Sequence, residues 1–169
     1  MDYLRRTPVI EIDLPGEADT QALGRAIARR AGQGDMIALE GGLGAGKTTL
    51  ARGFIQHFTG AVEEVVSPTF TLAQLYDGPV PIWHFDLYRL KDPMEVLELG
   101  LEDALTEGIV LVEWPERMVH LLPQRRLEVG LALGLNNGRR ARLAGDPSWQ
   151  TRLKEIELEE IRNDVPGRI

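Results

Sequence analysis

Met36-Ile37-Ala38-Leu39-Glu40-Gly41-Gly42-Leu43-Gly44-Ala45-Gly46-Lys47-Thr48-Thr49-Leu50 is the stretch on which the fold turns. Its four apolar residues read as a buried strand. After the glycine cluster, Leu50, Ala51, Phe54, Ile55 and Phe58 mark one face of a helix that ends near Gly60. Gly41 to Thr48 match the phosphate-loop spacing of Gly, four residues, Gly-Lys-Thr at every specified position, between the strand and the helix that this motif requires. Glycines reach left-handed backbone angles that turn successive N–H groups inward, and so build an anion nest at a helix N-terminus. The expected nucleotide cradle is Gly41, Gly42, Leu43, Gly44, Ala45, Gly46, Lys47, Thr48 and Thr49, with Lys47 at the β- and γ-phosphates and the Thr48 hydroxyl on Mg²⁺.

Upstream, Val9 to Leu14 alternate as a short strand closed by Pro15-Gly16. Asp19 or Thr20 then reads as the N-cap of an amphipathic helix over residues 20–31. Downstream, Phe70 to Tyr76 and Ile82 to Phe85 flank a turn at Asp77-Gly78 and predict a hairpin, hence a mixed sheet. Residues 93–107 are helix formers broken at Gly100, and Ile109-Val110-Leu111-Val112 is a buried strand stopped by Pro115. Leu127 to Leu133 and Arg139 to Leu143 flank Asn136-Asn137-Gly138, whose Asn-Gly step is a hairpin signal. A last helix is expected over roughly 147–163. The fold expected is α/β, a P-loop NTPase-like mixed sheet flanked by helices, with a C-terminal antiparallel hairpin and a final helix. Residues 1–169 read as one domain, with 1–8 as a leader and 164–169 as a frayed tail.

A triphosphatase site needs an acidic group for Mg²⁺ at the end of a neighbouring strand. Asp86 follows Ile82-Trp83-His84-Phe85, and Glu113 follows Ile109 to Val112, so both emerge at the sheet edge where ligands collect in α/β folds. Ser67-Pro68-Thr69 lies where loops sensing a γ-phosphate sit in several such enzymes. From composition alone, His84 and Trp114 read as packed strand residues rather than chemistry.

Composition narrows the classes further. Nineteen Lys and Arg against 26 Asp and Glu give a net charge of −7, the reverse of the basic footprint of unaided nucleic-acid binding. With no cysteine in 169 residues, thiolate metal sites and cysteine nucleophiles are excluded. No stretch approaches 18 uninterrupted apolar residues and no apolar core follows the N-terminal arginines, so no membrane association and a cytosolic location are expected.

The ordered set of Gly41 to Thr49, Ser67-Pro68-Thr69-Phe70-Thr71-Leu72, His84-Phe85-Asp86-Leu87-Tyr88-Arg89-Leu90 and Leu111-Val112-Glu113-Trp114-Pro115-Glu116 resembles the bacterial TsaE (YjeE) family. The likeness covers roughly residues 14–145. It implies a small ATPase of tRNA threonylcarbamoyladenosine biosynthesis that uses ATP and Mg²⁺ and supports turnover of a TsaB–TsaD complex, meeting tRNA only through that complex. It further implies that Thr48 and Glu113 ligate Mg²⁺, that Lys47 binds phosphate, that Asp86 serves hydrolysis by orienting water, and that Thr69 belongs to a switch-like loop. Trp114 matches the family's tryptophan after the metal ligand. Thr20 falls near the nucleotide base, and either Arg139 or Arg140 faces the nucleotide. Gly42 departs from the family, where Asp is common. The alternative is a small-molecule or nucleoside P-loop kinase, which needs an arginine-rich lid. The guanine-selecting Asn-Lys-x-Asp segment of GTPases is absent from the chain.

Overall fold

The computed structural model describes residues 10–60 and 64–167. The strands β1 (Ile10–Leu14), β2 (Met36–Glu40), β3 (Ala73–Tyr76), β4 (Ile82–Asp86), β5 (Ile109–Glu113), β6 (Leu127–Leu133) and β7 (Arg139–Gly145) form one sheet in the order β1-β7-β6-β2-β5-β4-β3. Its centre is parallel, β2 pairing with β5 and β6, and β4 with β5; β3 and the β7-β1 pair run antiparallel at the two edges. The mixed α/β sheet expected from the alternation of elements is therefore present.

Helices α1 (Glu17–Ala28), α2 (Lys47–Thr59), α5 (Pro147–Leu153) and α6 (Leu158–Asn163) cover one face; α3 (Glu95–Glu98) and α4 (Leu101–Glu107) cover β2, β5 and β4 on the other. Being covered on both sides, β5 is apolar along its whole length before Glu113, as central parallel strands are. Between α1 and α2 the backbones nearly touch: a Cβ at Gly24 would stand 2.3 Å from the Leu50 carbonyl oxygen, and one at Gly53 would stand 2.1 Å from that of Gln21. This close crossing holds the start of α1 against the phosphate loop.

Several expectations shift or sharpen. Helix α1 begins at Glu17 with Gly16 as N-cap, so neither Asp19 nor Thr20 caps it: Asp19 sits in the first turn and its carboxylate accepts the Gly16 N–H at 3.0 Å. Its end tightens early, Arg30 and Ala31 donating three residues back. Of Phe70 to Tyr76 only Ala73–Tyr76 is strand, because residues 69–72 turn over the site, Leu72 donating to Pro68 O at 2.8 Å. At the late hairpin the left-handed residues are Asn136 and Asn137 (φ 54° and 63°), while Gly138 has φ −77°. Gly138 serves close approach instead, a Cβ there falling 2.8 Å from Leu14 O.

The final helix is two. A continuous helix would rotate Ile161 about 80° from Leu153 and about 140° from Ile156. Breaking after Leu153 lets Trp149, Leu153, Ile156 and Ile161 all reach the core. The tail is docked through Val165, which joins that core, and Asp164, which accepts from Arg25 Nε at 2.6 Å. The leader 1–8, Val9 and residues 168–169 lie outside the described residues. Among the described residues no helix is long and apolar enough to cross a membrane.

Candidate nucleotide site

The parallel strands β2, β4 and β5 end at one edge of the sheet, and the glycine loop leaves β2 there to start α2. Gly44 and Gly46 adopt φ 75° and 107°, the left-handed conformation the nest needs, so α2 starts with its first-turn N–H groups open toward the cleft. A Cβ at Gly42 meets nothing within 4 Å, so this position has room for the family's Asp. The cleft beside the loop holds about 480 Å³. Thr20, Lys47, Thr48, Thr69, Asp86, Glu113 and Arg139 all line it, with the loop from Leu43 to Thr49. Gly41 and Gly42 lie behind, on the far side of the loop.

Lys47 is folded onto its own loop. Its Nζ donates to Gly41 O and, at 3.0 Å, to Gly42 O, and stands 3.9 Å from the centre of the Trp114 ring. Burial pushes its ammonium below the ordinary lysine range, opposed by the charges of Glu113, Glu116, Asp86 and Glu40. Trp114 holds φ 60° and ψ 51°, a left-handed conformation unusual for a bulky residue, and Tyr88 packs on it at 4.8 Å between ring centres. The ring packs against the core beneath α3 and α4, as composition suggested, and also walls the cleft.

The acidic floor is built by register. Asp86 and Glu113 are directly paired across β4 and β5, both almost wholly buried. Thr48 Oγ1 donates to Glu113 Oε1 at 3.0 Å; Ser67 Oγ donates to Asp86 Oδ2 and lies 3.1 Å from Glu113 Oε2; Thr69 Oγ1 reaches Asp86 Oδ2 at 3.3 Å. The Tyr88 N–H donates to Asp86 Oδ1 at 3.0 Å. These hard oxygens suit Mg²⁺, which takes few protein ligands and completes its shell with phosphate and water. Among the described residues no group of three or more His, Cys, Asp or Glu that could hold a metal ion occurs.

Arg139 and Arg140 separate cleanly. Arg139 donates to Gly44 O at 2.9 Å from the mouth of the cleft, whereas Arg140 points to the opposite sheet face and pairs with Glu11 and Asp13. Two residues at the floor had not been given a role: only Thr69 was taken from the Ser67-Pro68-Thr69 loop, and His84 was read as packing. The signal for His84 was available: it lies two residues before Asp86 on the same strand, hence on the same sheet face.

The family model for threonylcarbamoyl adenosine biosynthesis protein TsaE matches residues 14–141. The chain is 42% identical over 127 residues to the tRNA threonylcarbamoyladenosine biosynthesis protein TsaE of Rickettsia typhi, covering 75% of this chain and 88% of that protein. To the protein of the same name from Nostoc sp. it is 39% identical over 149 residues, 85% and 90% of the two chains. The crystal structure of Bacillus subtilis YdiB superposes with a TM-score of 0.73 at 30% identity, over 92% of this chain and 95% of that one.

Proposed function

Since the chain belongs to the TsaE family, we propose that it is the ATP-binding and hydrolysing component of the tRNA threonylcarbamoyladenosine machinery, acting on a TsaB–TsaD-type complex in the cytoplasm and meeting tRNA only through that complex. One observation carries the ATPase reading: a phosphate loop, a threonine hydroxyl and two register-paired strand-end carboxylates converge in one cleft.

Bound ATP supplies the scissile phosphoanhydride and Mg²⁺ the charge that neutralises its phosphates. The protein supplies position. Lys47, which rests on Gly41 O and Gly42 O, would give its ammonium to the phosphates of the bound nucleotide. Thr48 and Glu113, whose hydroxyl and carboxylate lie 3.0 Å apart, would hold the metal. Asp86, held by Tyr88 N–H and by the hydroxyls of Ser67 and Thr69, orients water toward the γ-phosphate. Thr20 and Arg139 both line the cleft, where Thr20 would approach the base and Arg139 the nucleotide.

A kinase lid finds no support in the arginines. Arg125 reaches Asp35 at the far end of the sheet, Arg126 pairs with Glu128, and Arg140 with β1. The test is mass spectrometry of tRNA nucleosides from cells depleted of the protein. Threonylcarbamoyladenosine is expected to fall and to return with wild type but not with Lys47→Ala; an unchanged level overturns the proposal.

A further inference from the structure

His84 is completely buried, and its ring makes one polar contact among the described residues: Nε2 lies 2.7 Å from Glu113 Oε2, while Nδ1 meets no partner. A carboxylate only accepts, so Nε2 carries the proton of this bond. The contact is diagonal. In register His84 stands opposite Leu111 and Asp86 opposite Glu113, so His84 reaches Glu113 from one pleat below, on the same face as Asp86.

The bond divides the carboxylate. Oε2 is engaged by His84 and lies 3.1 Å from the Ser67 hydroxyl, whereas the Thr48 hydroxyl leans toward Oε1, at 3.0 Å against 3.3 Å to Oε2. Without the imidazole, the carboxylate would be free to rotate toward the surrounding hydroxyls, and it would sit beside Asp86 with one donor fewer to offset the like charge. Ser67 comes from the loop over the site, whereas His84 comes from the middle of a sheet strand, whose ladder fixes its donor.

We infer that His84 is a positioning residue for the metal ligand: its Nε2–H fixes the Glu113 carboxylate so that Oε1 and the Thr48 hydroxyl form a ready pair for Mg²⁺. The inference rests on the proposed metal role of Thr48 and Glu113. Donors that orient a ligating group typically change metal affinity about 10–100-fold when removed.

The test is Mg²⁺ titration of the binding of a fluorescent, non-hydrolysable ATP analogue to the full chain, with analogue binding in EDTA and thermal unfolding measured alongside. In His84→Asn and His84→Leu, which both lack a donor at the Nε2 position, the Mg²⁺ concentration for half-saturation is expected to rise about tenfold or more. Analogue binding in EDTA should stay within about twofold, because no nucleotide-facing group has changed. His84→Gln, whose amide nitrogen reaches the Nε2 position, should restore Mg²⁺ dependence to within about threefold of wild type. A folded Asn or Leu variant with wild-type Mg²⁺ dependence, or a folded Gln variant as impaired as Leu, overturns the inference. Glu113→Ala separates the two levels: if it too leaves Mg²⁺ dependence unchanged, the metal reading itself falls, whereas a loss in Glu113→Ala with none in His84→Asn removes only the role of His84.

Discussion

Two buried polar clusters stand at opposite ends of the central strands, and they are solved differently. At the N-terminal end of β2, Asp35 is fully buried but surrounded by opposite charge and donors: Arg152 at 2.6 and 3.1 Å, Arg125 at 3.4 Å and the Gly32 N–H at 2.8 Å. At the C-terminal ends of β4 and β5, two carboxylates face each other and are met by hydroxyls and an imidazole, while the nearby cation, Lys47, is turned onto its own loop. The first cluster is complete within the chain and ties α5 to the sheet. The second has an excess of negative charge that a divalent cation would relieve. The difference teaches where to look for function: a buried acid bonded to its counter-charge holds the fold, and a buried acidic pair whose nearest cation is turned aside is the candidate for chemistry.

Breaking the complete cluster should have the largest effect on stability. Arg152→Leu leaves Asp35 buried with only Arg125 as counter-charge, and should cost about 3–5 kcal/mol in urea unfolding. Nucleotide affinity of the folded protein should be unchanged in fluorescence titrations, since no group of the cleft has been touched. At the other end the balance reverses. Asp86→Asn should slow ATP hydrolysis by about 10²-fold or more, roughly 3 kcal/mol in the barrier, as read by phosphate release. It should retain ATP binding and not lower the melting temperature, because one of two facing carboxylates has lost its charge. Hydrolysis at the wild-type rate would remove Asp86 from the reaction.

A third contrast is within the late hairpin. Arg139→Ala should weaken nucleotide binding roughly tenfold, the scale of one charge-assisted hydrogen bond. Arg140→Ala, which breaks exposed pairs to Glu11 and Asp13, should leave affinity within about twofold.

The smallest effect is the pH dependence of the ion pairs that join Glu160 of α6 to Arg29 and Arg30 at the end of α1. The Glu160 carboxyl is held below its ordinary value of 4.5 by hydrogen bonding from Arg30 first and Arg29 next. A lowered folded-state pKa means that its contribution is complete above about pH 4.5 and is lost as the pH falls through the lowered value. Because the group is partly solvated, Glu160→Gln should cost no more than about 1 kcal/mol at neutral pH, and the difference from wild type should vanish in acid.

How much of this was legible depended on range. The loop from Gly41 to Thr48, β5 and the strand-end acids could be read because each is written locally: spacing for the loop, a continuous apolar run for the strand, an acid at its end. The late turn was read where it stands, but the start of α1 and the break after Leu153 were misplaced because each is settled by a neighbour far along the chain or by a reciprocal hydrogen bond. Gly138 is small for the sake of Leu14, and Ile161 leaves the helical stripe to reach a core built by α1 and α2. His84 was read as packing because its partner is 29 residues away on another strand.

By itself, then, the sequence determined the kind of site: a strand, a glycine nest, a lysine, a threonine and two strand-end carboxylates, each dictated by local backbone preference and by the chemistry of phosphate and Mg²⁺. The tertiary structure decided which groups meet. Register alone set Asp86 against Glu113, brought His84 beneath the latter, and sent Arg139 to the cleft and Arg140 to the opposite face. Side chains alternate across a strand with period two, so one residue of register separates a ligand of the site from a residue of the far surface.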